Sequence, residues 1–386
     1  MIYADNAATT KLSQEAFEKM LPYMRDEYAN PSSVYSSAQE SRKAVENART
    51  QVAKAIGASE REVYFTSGGT ESDNWAIMGT CFANEKKGKH IITSSIEHHA
   101  VLHTCEFMES HGFEVTYLPV DEYGLVTVES FKAALRDDTV LATIMHANNE
   151  IGTVQNIAEL SRLARENNTL FHTDAVQTTG HLPVNVDELG VDLLSMSGHK
   201  FHGPKGIGAL YVRKGTKIAR FHLGGGQERN MRAGTENVAG IVGMGAALES
   251  AVKNLPHNTE RLLSMRDYII KRISESISDC RLNGHPEKRL PNNVNFSFEY
   301  IEGESLLLML NMNEIAASSG SACTSGSLDP SHVLLAIGLS HQTAHGSLRL
   351  TFSHCNTMEE MDYIVEKLVP IVARLREMSP LKAGSV

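Results

Sequence analysis

Short apolar runs alternate with amphipathic stretches between residues 63 and 213. Seven runs have the composition of strands: VYFTS, HIITSSI, EVTYLPV, VLATIMHAN, LFHTDA, DLLSMS and IGALYV. The stretches between the first five, such as AVLHTCEFMESHG and IAELSRLARENN, repeat their apolar residues at helical spacing. This alternation predicts a mainly parallel seven-stranded sheet that is covered by helices on both faces.

The patterns on either side of this region complete the outline. Before it, residues 39–57 predict one long helix that ends at Gly57. After about residue 255, helical and strand patterns lead to a last helix, which opens with the capping box of Thr357 and Glu360. The sequence therefore predicts an α/β protein. We expect a large domain over residues 13–255 and a smaller α+β domain over residues 1–12 and 256–386.

The composition argues against several classes of protein. The 386 residues carry a formal net charge of −10, which does not suit a general binder of nucleic acids or anionic membranes. No run of about 18 apolar residues occurs, so that no membrane span is expected. The first ten residues do not resemble a signal peptide. Five scattered cysteines without a C-x-x-C pair indicate reduced thiols, and we expect a cytoplasmic protein.

Chemically active residues follow the predicted strands, at the edge where open α/β sheets bind their ligands. After the first strand, Gly68, Gly69 and Thr70 open a helix. This turn suits a phosphate, although a plain tight turn with a threonine N-cap explains it equally well. The later strands are followed by histidines, acids, amides and a lysine: His98, His99, Asn149, Glu150, Asp174, Gln177, Ser197, His199 and Lys200.

Asp174 and Lys200 point to a particular cofactor. Asp174 follows an apolar strand and should be buried, as a helix cap, in a structural ion pair, or opposite a protonated heterocycle nitrogen. Lys200 lies in a turn of small residues. A solvated lysine is the ordinary alternative, but an amine held and partly desolvated here can form a Schiff base. Beside a phosphate cradle and a buried acid, the cofactor that fits is pyridoxal phosphate.

A cluster of histidines invites a zinc hypothesis, but the spacing does not support it. His98, His99, His103 and Cys105 form neither a C-x-x-C nor an H-E-x-x-H motif. A single ring stacked on a flat ligand, or a histidine pair at the surface, is therefore favoured over a metal site.

Three features lie outside this edge of the sheet. Cys323 occupies a Ser/Gly/Ala-rich stretch, which favours an exposed reactive thiol over a buried one. Arg349 lies in a largely apolar strand and needs a carboxylate, which either the protein or a substrate can supply. The glycine-rich segment of residues 224–237 is either an ordinary loop or an arm that reaches a neighbouring subunit.

Taken together, these segments resemble a known family over nearly the whole chain: the class I, NifS/IscS-type, pyridoxal-phosphate-dependent cysteine desulfurases. The resemblance implies a fold-type-I homodimer with active sites at the subunit interface. It implies conversion of L-cysteine to L-alanine, with the sulfur held as a persulfide and passed to an iron–sulfur scaffold protein or another thio-cofactor pathway. The segments that carry it are YADNAATT, NPSS, FTSGGTESDNWAI, EHHAV, HANNEIGTVQ, HTDAVQTTG, SGHKFHGPKGIGALY, GGGQERNMRAGTEN and SSGSACTSGSLDPSHVLLAIG.

The resemblance also implies a role for each site residue. Lys200 forms the Schiff base and moves the α-proton, Asp174 binds the pyridinium nitrogen, and Gln177 binds the ring's phenolate oxygen. His98 stacks on the ring, and Cys323 accepts the sulfur, with a transient iron–sulfur contact as its only metal chemistry. The phosphate is held by Gly69, Thr70, Ser197, His199 and the partner subunit's Thr235. The substrate carboxylate is held by Arg349 and by Asn149, which also touches the cofactor.

Two departures and three alternatives accompany this resemblance. The segment SSVYSSAQ stands where members more usually have a histidine-bearing SSxHxxG pattern. His354 and Cys355 stand where many members have a Leu-Gly stretch, and we expect them near the edge of the site. The two alternatives among enzymes are selenocysteine lyase and another fold-type-I enzyme, such as an aminotransferase. The third alternative is a sulfur-delivery protein that keeps the fold without the activity.

Overall fold

The computed structural model describes residues 1–319 and 330–379. The strands are β1 (Ile2–Tyr3), β2 (Val63–Thr66), β3 (His90–Ser94), β4 (Glu114–Leu118), β5 (Thr139–Thr143), β6 (Leu170–Asp174), β7 (Leu193–Ser197), β8 (Gly208–Val212), β9 (Cys280–Leu282), β10 (Asn293–Phe298), β11 (Ile315–Ala316) and β12 (Ser347–Thr351). The α-helices are α1 (Gln14–Arg25), α2 (Ser36–Ala55), α3 (Gly69–Asn74), α4 (Thr80–Asn84), α5 (His99–Ser110), α6 (Val128–Ala134), α7 (Ile157–Glu166), α8 (Val186–Leu189), α9 (Val238–Lys253), α10 (Leu255–Ser276), α11 (Gly303–Met312), α12 (His332–Ala336), α13 (His341–His345) and α14 (Met358–Met378).

The seven predicted runs form one sheet, in the spatial order β2-β8-β7-β6-β5-β3-β4. Strands β3 to β7 are parallel, whereas β8 is antiparallel to both of its neighbours. Since β2 and β7 both oppose β8, they point the same way. The carboxyl ends of six strands therefore meet at one edge, and the predicted mainly parallel α/β sheet is confirmed.

Helices cover both faces of this sheet. Leu194 belongs to a core that includes Val52 of α2 and Ile241 of α9. Its neighbour Leu193 belongs to a second core, which includes Trp75. Adjacent residues of a strand face opposite sides, which explains why the strands are almost continuously apolar. The predicted long helix is α2, and the chain leaves it at Gly57, whose φ of +69° is a left-handed conformation that favours glycine.

A separate core forms around two small sheets. Strands β12, β10 and β9 make an antiparallel sheet in that order, and β1 pairs with β11 in parallel. Helices α10, α11 and α14 pack with them, and Ala4 of the N-terminal segment is buried in the same core. The N-terminal segment thus packs with residues near the other end of the chain. The division into residues 13–255 and residues 1–12 with 256–386 stays a prediction.

The last helix begins as its sequence predicts. Thr357 accepts a hydrogen bond from the backbone N–H of Glu360, whose carboxylate in turn accepts from the N–H of Thr357. This is the capping box, which satisfies two N–H groups at the helix start. Within the part of the chain that the structure describes, no helix is both long enough and apolar enough to cross a membrane.

Candidate active site

A cavity of about 300 Å³ opens at the carboxyl-end edge of the large sheet. Its volume lies at the lower end of the range of small-molecule sites. Ten of the twelve site residues that the sequence indicated line it, although they come from six separate segments of the chain. They are Gly69, Thr70, His98, Asn149, Asp174, Gln177, Ser197, His199, Lys200 and Arg349.

Lys200 ends a short 3₁₀ turn that follows β7. Its side chain is half-buried, and Nζ donates hydrogen bonds to the backbone oxygens of Ala7, at 2.6 Å, and Ala8, at 2.9 Å. The backbone oxygen of Lys200 lies 2.9 Å from Nε2 of His181. The lysine is therefore held in place at the cavity and is not the solvated side chain that was the alternative.

Asp174 is the last residue of β6 and only 6% exposed. Its Oδ1 accepts a hydrogen bond from the N–H of Val176 at 2.9 Å. Burial raises the pKa of Asp174 to about 6, against the opposing effects of this hydrogen bond and of the Lys200 charge. A cationic N–H in the cavity would stabilise the ionised form.

A second buried acid, Asp73, lines the cavity beside Asp174 and was missed in the sequence. Burial, and then the neighbouring Asp174, raise its pKa. Behind it, Nε2 of His172 lies 2.9 Å from Oγ of Ser195. Burial lowers the pKa of His172 to about 3. The one sequence signal was position, because Asp73 follows Thr70 by three residues and so shares its face of α3.

The glycine turn forms the anion-binding end of the cavity. Gly68 is the N-cap of α3 without a side-chain cap, so that the alternative of a threonine N-cap does not apply. A Cβ at Gly69 would lie 2.7 Å from Cγ2 of Val176. Ser197 is buried at the end of β7, and Nδ1 of His199 lies 3.1 Å from Oγ1 of Thr9. Free N–H groups at a helix start together with nearby hydroxyls suit a phosphate.

His98 is the N-cap of α5. Its Nδ1 accepts a hydrogen bond from the N–H of Ala100 at 3.1 Å, which fixes the ring. Burial, followed by the charge of Lys200, lowers the pKa of His98 to about 4, so that the ring is neutral near pH 7. A fixed neutral ring suits stacking on a flat ligand, and His98 lines the cavity, whereas His99 does not.

The other histidines of this region form a stack of rings beside the site. The ring of His99 lies 5.0 Å from that of His103 and 4.9 Å from that of His332, between centroids. Among residues 1–319 and 330–379, no group of three His, Cys, Asp or Glu side chains is arranged to hold a metal ion. Cys105 is fully buried, and burial raises the pKa of its thiol.

Arg349 occupies the middle of β12 and is buried. Its Nη2 donates to Oδ1 of Asp5 at 2.8 Å, and its Nη1 donates to the backbone oxygen of Asn149 at 3.0 Å. The sequence left open whether the carboxylate partner belongs to the protein or to a substrate. The protein supplies one in Asp5, and the guanidinium nevertheless lines the cavity.

The N-terminal segment of residues 4–10 is part of the site, although no role was predicted for it. Besides its contacts with Lys200, the backbone oxygen of Ala7 accepts a hydrogen bond from Nε2 of Gln177 at 3.1 Å. Ala7 and Ala8 both line the cavity. The segment contributes backbone oxygens, which have no signature in the sequence.

Two predicted site residues do not line the cavity. Thr235 is exposed at the end of the glycine-rich segment, which is tied to α3 by the ion pair of Arg232 with Glu71, at 2.7 Å. Cys323 lies outside the described residues. Two further residues, expected near the edge of the site, do not line the cavity either: the ring of His354 packs against that of His202, 4.6 Å between centroids, and Cys355 is exposed.

These side chains fit pyridoxal phosphate as a ligand. A buried acid can pair with a cationic ring nitrogen. An amide and a fixed neutral imidazole line the same cavity. A glycine turn, which a Cβ would crowd, forms the end that suits an anion. A lysine amine lies at the same cavity wall. The donor set thus matches each chemical group of this cofactor.

Comparison with known proteins extends this match to the whole chain. The profile of the family described as Aminotransferase class-V matches residues 2–364. The cysteine desulfurase IscS of Methanosarcina thermophila is 58% identical over 380 residues, covering 98% of this chain and 94% of the relative. The IscS of Dictyoglomus turgidum is 57% identical, covering 99% and 97%.

Solved structures agree with these relatives. A NifS-like protein superposes with a TM-score of 0.91 at 39% identity, covering 97% of this chain and all of that one. The protein SspA, solved in complex with cysteine, gives a TM-score of 0.82 at 39% identity, covering 92% of this chain and 99% of that one. The chain therefore belongs to the class-V aminotransferase family and, within it, to the IscS and NifS group of cysteine desulfurases.

Proposed function

We propose that this protein is a pyridoxal-phosphate-dependent cysteine desulfurase, which converts L-cysteine to L-alanine and leaves the sulfur on Cys323 as a persulfide. The observation that carries the proposal is the convergence of ten residues from separate segments on one cavity. The names of the relatives support it, as does the binding of cysteine by SspA, which is 39% identical to this chain.

The cofactor would be held along the length of the cavity. Asp174 would pair with the ring nitrogen, and Gln177 would donate to the oxygen on the ring. His98 would cover one face, since its ring is fixed and neutral. The phosphate would lie at the start of α3, bound by Gly69, Thr70, Ser197 and His199 and by Thr235 of the partner subunit.

When bound, pyridoxal phosphate supplies an electron sink that stabilises negative charge at the α-carbon of the substrate. The chain's own contribution at that carbon is Nζ of Lys200, which takes the α-proton as a general base. The backbone oxygens of Ala7 and Ala8 keep this amine at the cavity wall. Arg349 and Asn149 hold the substrate carboxylate and so fix the direction in which the α-proton points.

The sulfur would then leave the site on the thiol of Cys323. A thiolate is the required nucleophile, and the Ser/Gly/Ala-rich sequence around Cys323 suits an exposed thiol. We further propose a cytoplasmic homodimer that passes the sulfur to an iron–sulfur scaffold protein or another thio-cofactor acceptor.

The test is to measure alanine formation from L-cysteine by the purified yellow protein, together with the sulfide that an added thiol reductant releases from the persulfide. The wild type should form L-alanine at a rate that the Cys323→Ser variant loses while keeping its chromophore. Lys200→Ala should lose the link to the cofactor that borohydride fixes. Preferential turnover of L-selenocysteine, or of a 2-oxo acid with an amino donor, would instead favour selenocysteine lyase or an aminotransferase, and a colourless protein would favour a non-catalytic role.

A further inference from the structure

The guanidinium of Arg349 is held by two groups from distant parts of the chain. Asp5 accepts from Nη2 at 2.8 Å, and the backbone oxygen of Asn149 accepts from Nη1 at 3.0 Å. The Arg349 side chain is 3% exposed and that of Asp5 is 19% exposed. A planar guanidinium that is bound at two nitrogens has its remaining edge fixed as well.

That remaining edge includes Nε. Among residues 1–319 and 330–379, the buried Nε of Arg349 finds no hydrogen-bond partner. Asp5 and Asn149 thus leave part of the guanidinium without an acceptor among the described residues, at a cost in free energy. Arg349 lines the cavity, so a carboxylate bound there can accept from a guanidinium that is already oriented.

Asp5 is itself held firmly against β12. Its backbone bridges to Thr351, two residues beyond Arg349 on the same strand. The next two residues also bind Thr351: Nδ2 of Asn6 donates to its backbone oxygen at 2.9 Å, and the N–H of Ala7 donates to its hydroxyl at 2.8 Å. The Asp5 carboxylate is thus placed by three neighbouring contacts and has little freedom to follow Arg349 elsewhere.

The lining of the cavity includes Arg349 but not Asp5. Asp5 therefore lies one contact away from any ligand and can influence it only through the guanidinium. We propose that Asp5 is a positioning residue for the substrate carboxylate: it holds Arg349 through Nη2 in the orientation in which the guanidinium can bind an α-carboxylate in the cavity. This inference rests on the proposed function, because it assumes an amino-acid substrate.

The experiment compares ligands with and without a carboxylate. We would measure by calorimetry the affinity of the cofactor-loaded protein for L-alanine and for L-alaninamide, together with KM and kcat for L-cysteine. Asp5→Ala should weaken L-alanine binding and raise the KM about tenfold, with kcat and the affinity for L-alaninamide changed less than about twofold. Asp5→Asn keeps an oxygen but not the charge, and should show the same selective loss at about threefold.

The matched control is Asn6→Ala, which loosens the same segment without touching Arg349. It should change the affinities for L-alanine and L-alaninamide by the same factor. The inference is overturned if Asp5→Ala leaves L-alanine binding unchanged or weakens both ligands alike. Should Asp5→Ala fail to fold, the same criteria apply to Asp5→Asn. A wild type that binds L-alanine but does not desulfurate L-cysteine would refute the proposed function alone.

Discussion

At the scale of single residues, Glu150 illustrates what burial costs. It is 5% exposed, and Oγ of Ser331 donates to its Oε2. Burial raises its pKa from 4.5 to about 7, although Ser331 and Arg349 oppose the shift. Since the folded pKa exceeds the unfolded one, the cost of ionisation is absent below about pH 4.5 and fully present above about pH 7. It then amounts to about 3 kcal/mol.

Replacing this carboxyl should therefore help the fold more at high pH than at low pH. We expect the free energy of unfolding of Glu150→Gln, relative to the wild type, to rise by about 2.5 kcal/mol between pH 5 and pH 8 in denaturant titrations. The control is Glu129→Gln, which removes a carboxyl from an exposed helix start. If the difference in free energy of unfolding between Glu129→Gln and the wild type grows as much with pH, the burial of Glu150 is not the cause.

At the scale of elements, the site depends on how closely β8 approaches the glycine turn. A Cβ on Gly208 would lie 2.7 Å from Cα of Gly68 and 2.7 Å from the backbone oxygen of Met196. Both contacts are with backbone, so the turn must move, which costs about 1–3 kcal/mol. Because Gly68 is the N-cap of α3, Gly208→Ala should weaken binding of pyridoxal phosphate roughly tenfold when the apoprotein is titrated with it.

Gly215→Ala is the matched control for this substitution. Gly208 begins β8, whereas Gly215 lies three residues beyond its end; the φ of Gly215 is +94° and, among the described residues, no atom would lie within 4 Å of the added Cβ. The variant should lose thermal stability through backbone strain while keeping its affinity for the cofactor. Equal loss of cofactor affinity in both variants would show that the close approach to Gly68 is not the cause.

Elements and site residues were predictable wherever side chains carry the information. The strands could be predicted because both of their faces are buried, which makes their sequences apolar. Lys200 and Asp174 could be predicted as site residues because they come at or just after the ends of strands. The roles of Ala7 and Ala8 were not predictable, since they act through backbone oxygens. Nor was Asp5, because nothing in the sequence relates it to Arg349, 344 residues away.

At the scale of the whole molecule, the site joins the two main cores. Lys200 follows a strand of the large sheet, whereas Arg349 lies within a strand of the small one. The N-terminal segment links them, because Asp5 binds Arg349 and the next turn of chain binds Lys200. A smaller hydrophobic cluster, which includes Ile96, Met145 and Leu334, packs α12 against the large sheet beside the cavity. Amine and guanidinium are thus held at a fixed separation by contacts outside either sheet.

Of the predicted site residues that the structure describes, Thr235 is exposed and lies outside the cavity of its own chain. If Thr235 serves the partner's site, Thr235→Ala should weaken cofactor binding about tenfold in the proposed homodimer. In a mixed dimer of Thr235→Ala with Lys200→Ala, the site with the intact lysine receives an intact threonine. That dimer, isolated with two different tags, should regain about half of the wild-type activity at low cofactor concentration. If Thr235 instead acts within its own subunit, the defect of Thr235→Ala persists in the mixed dimer, and the two results separate a shared site from a self-contained one.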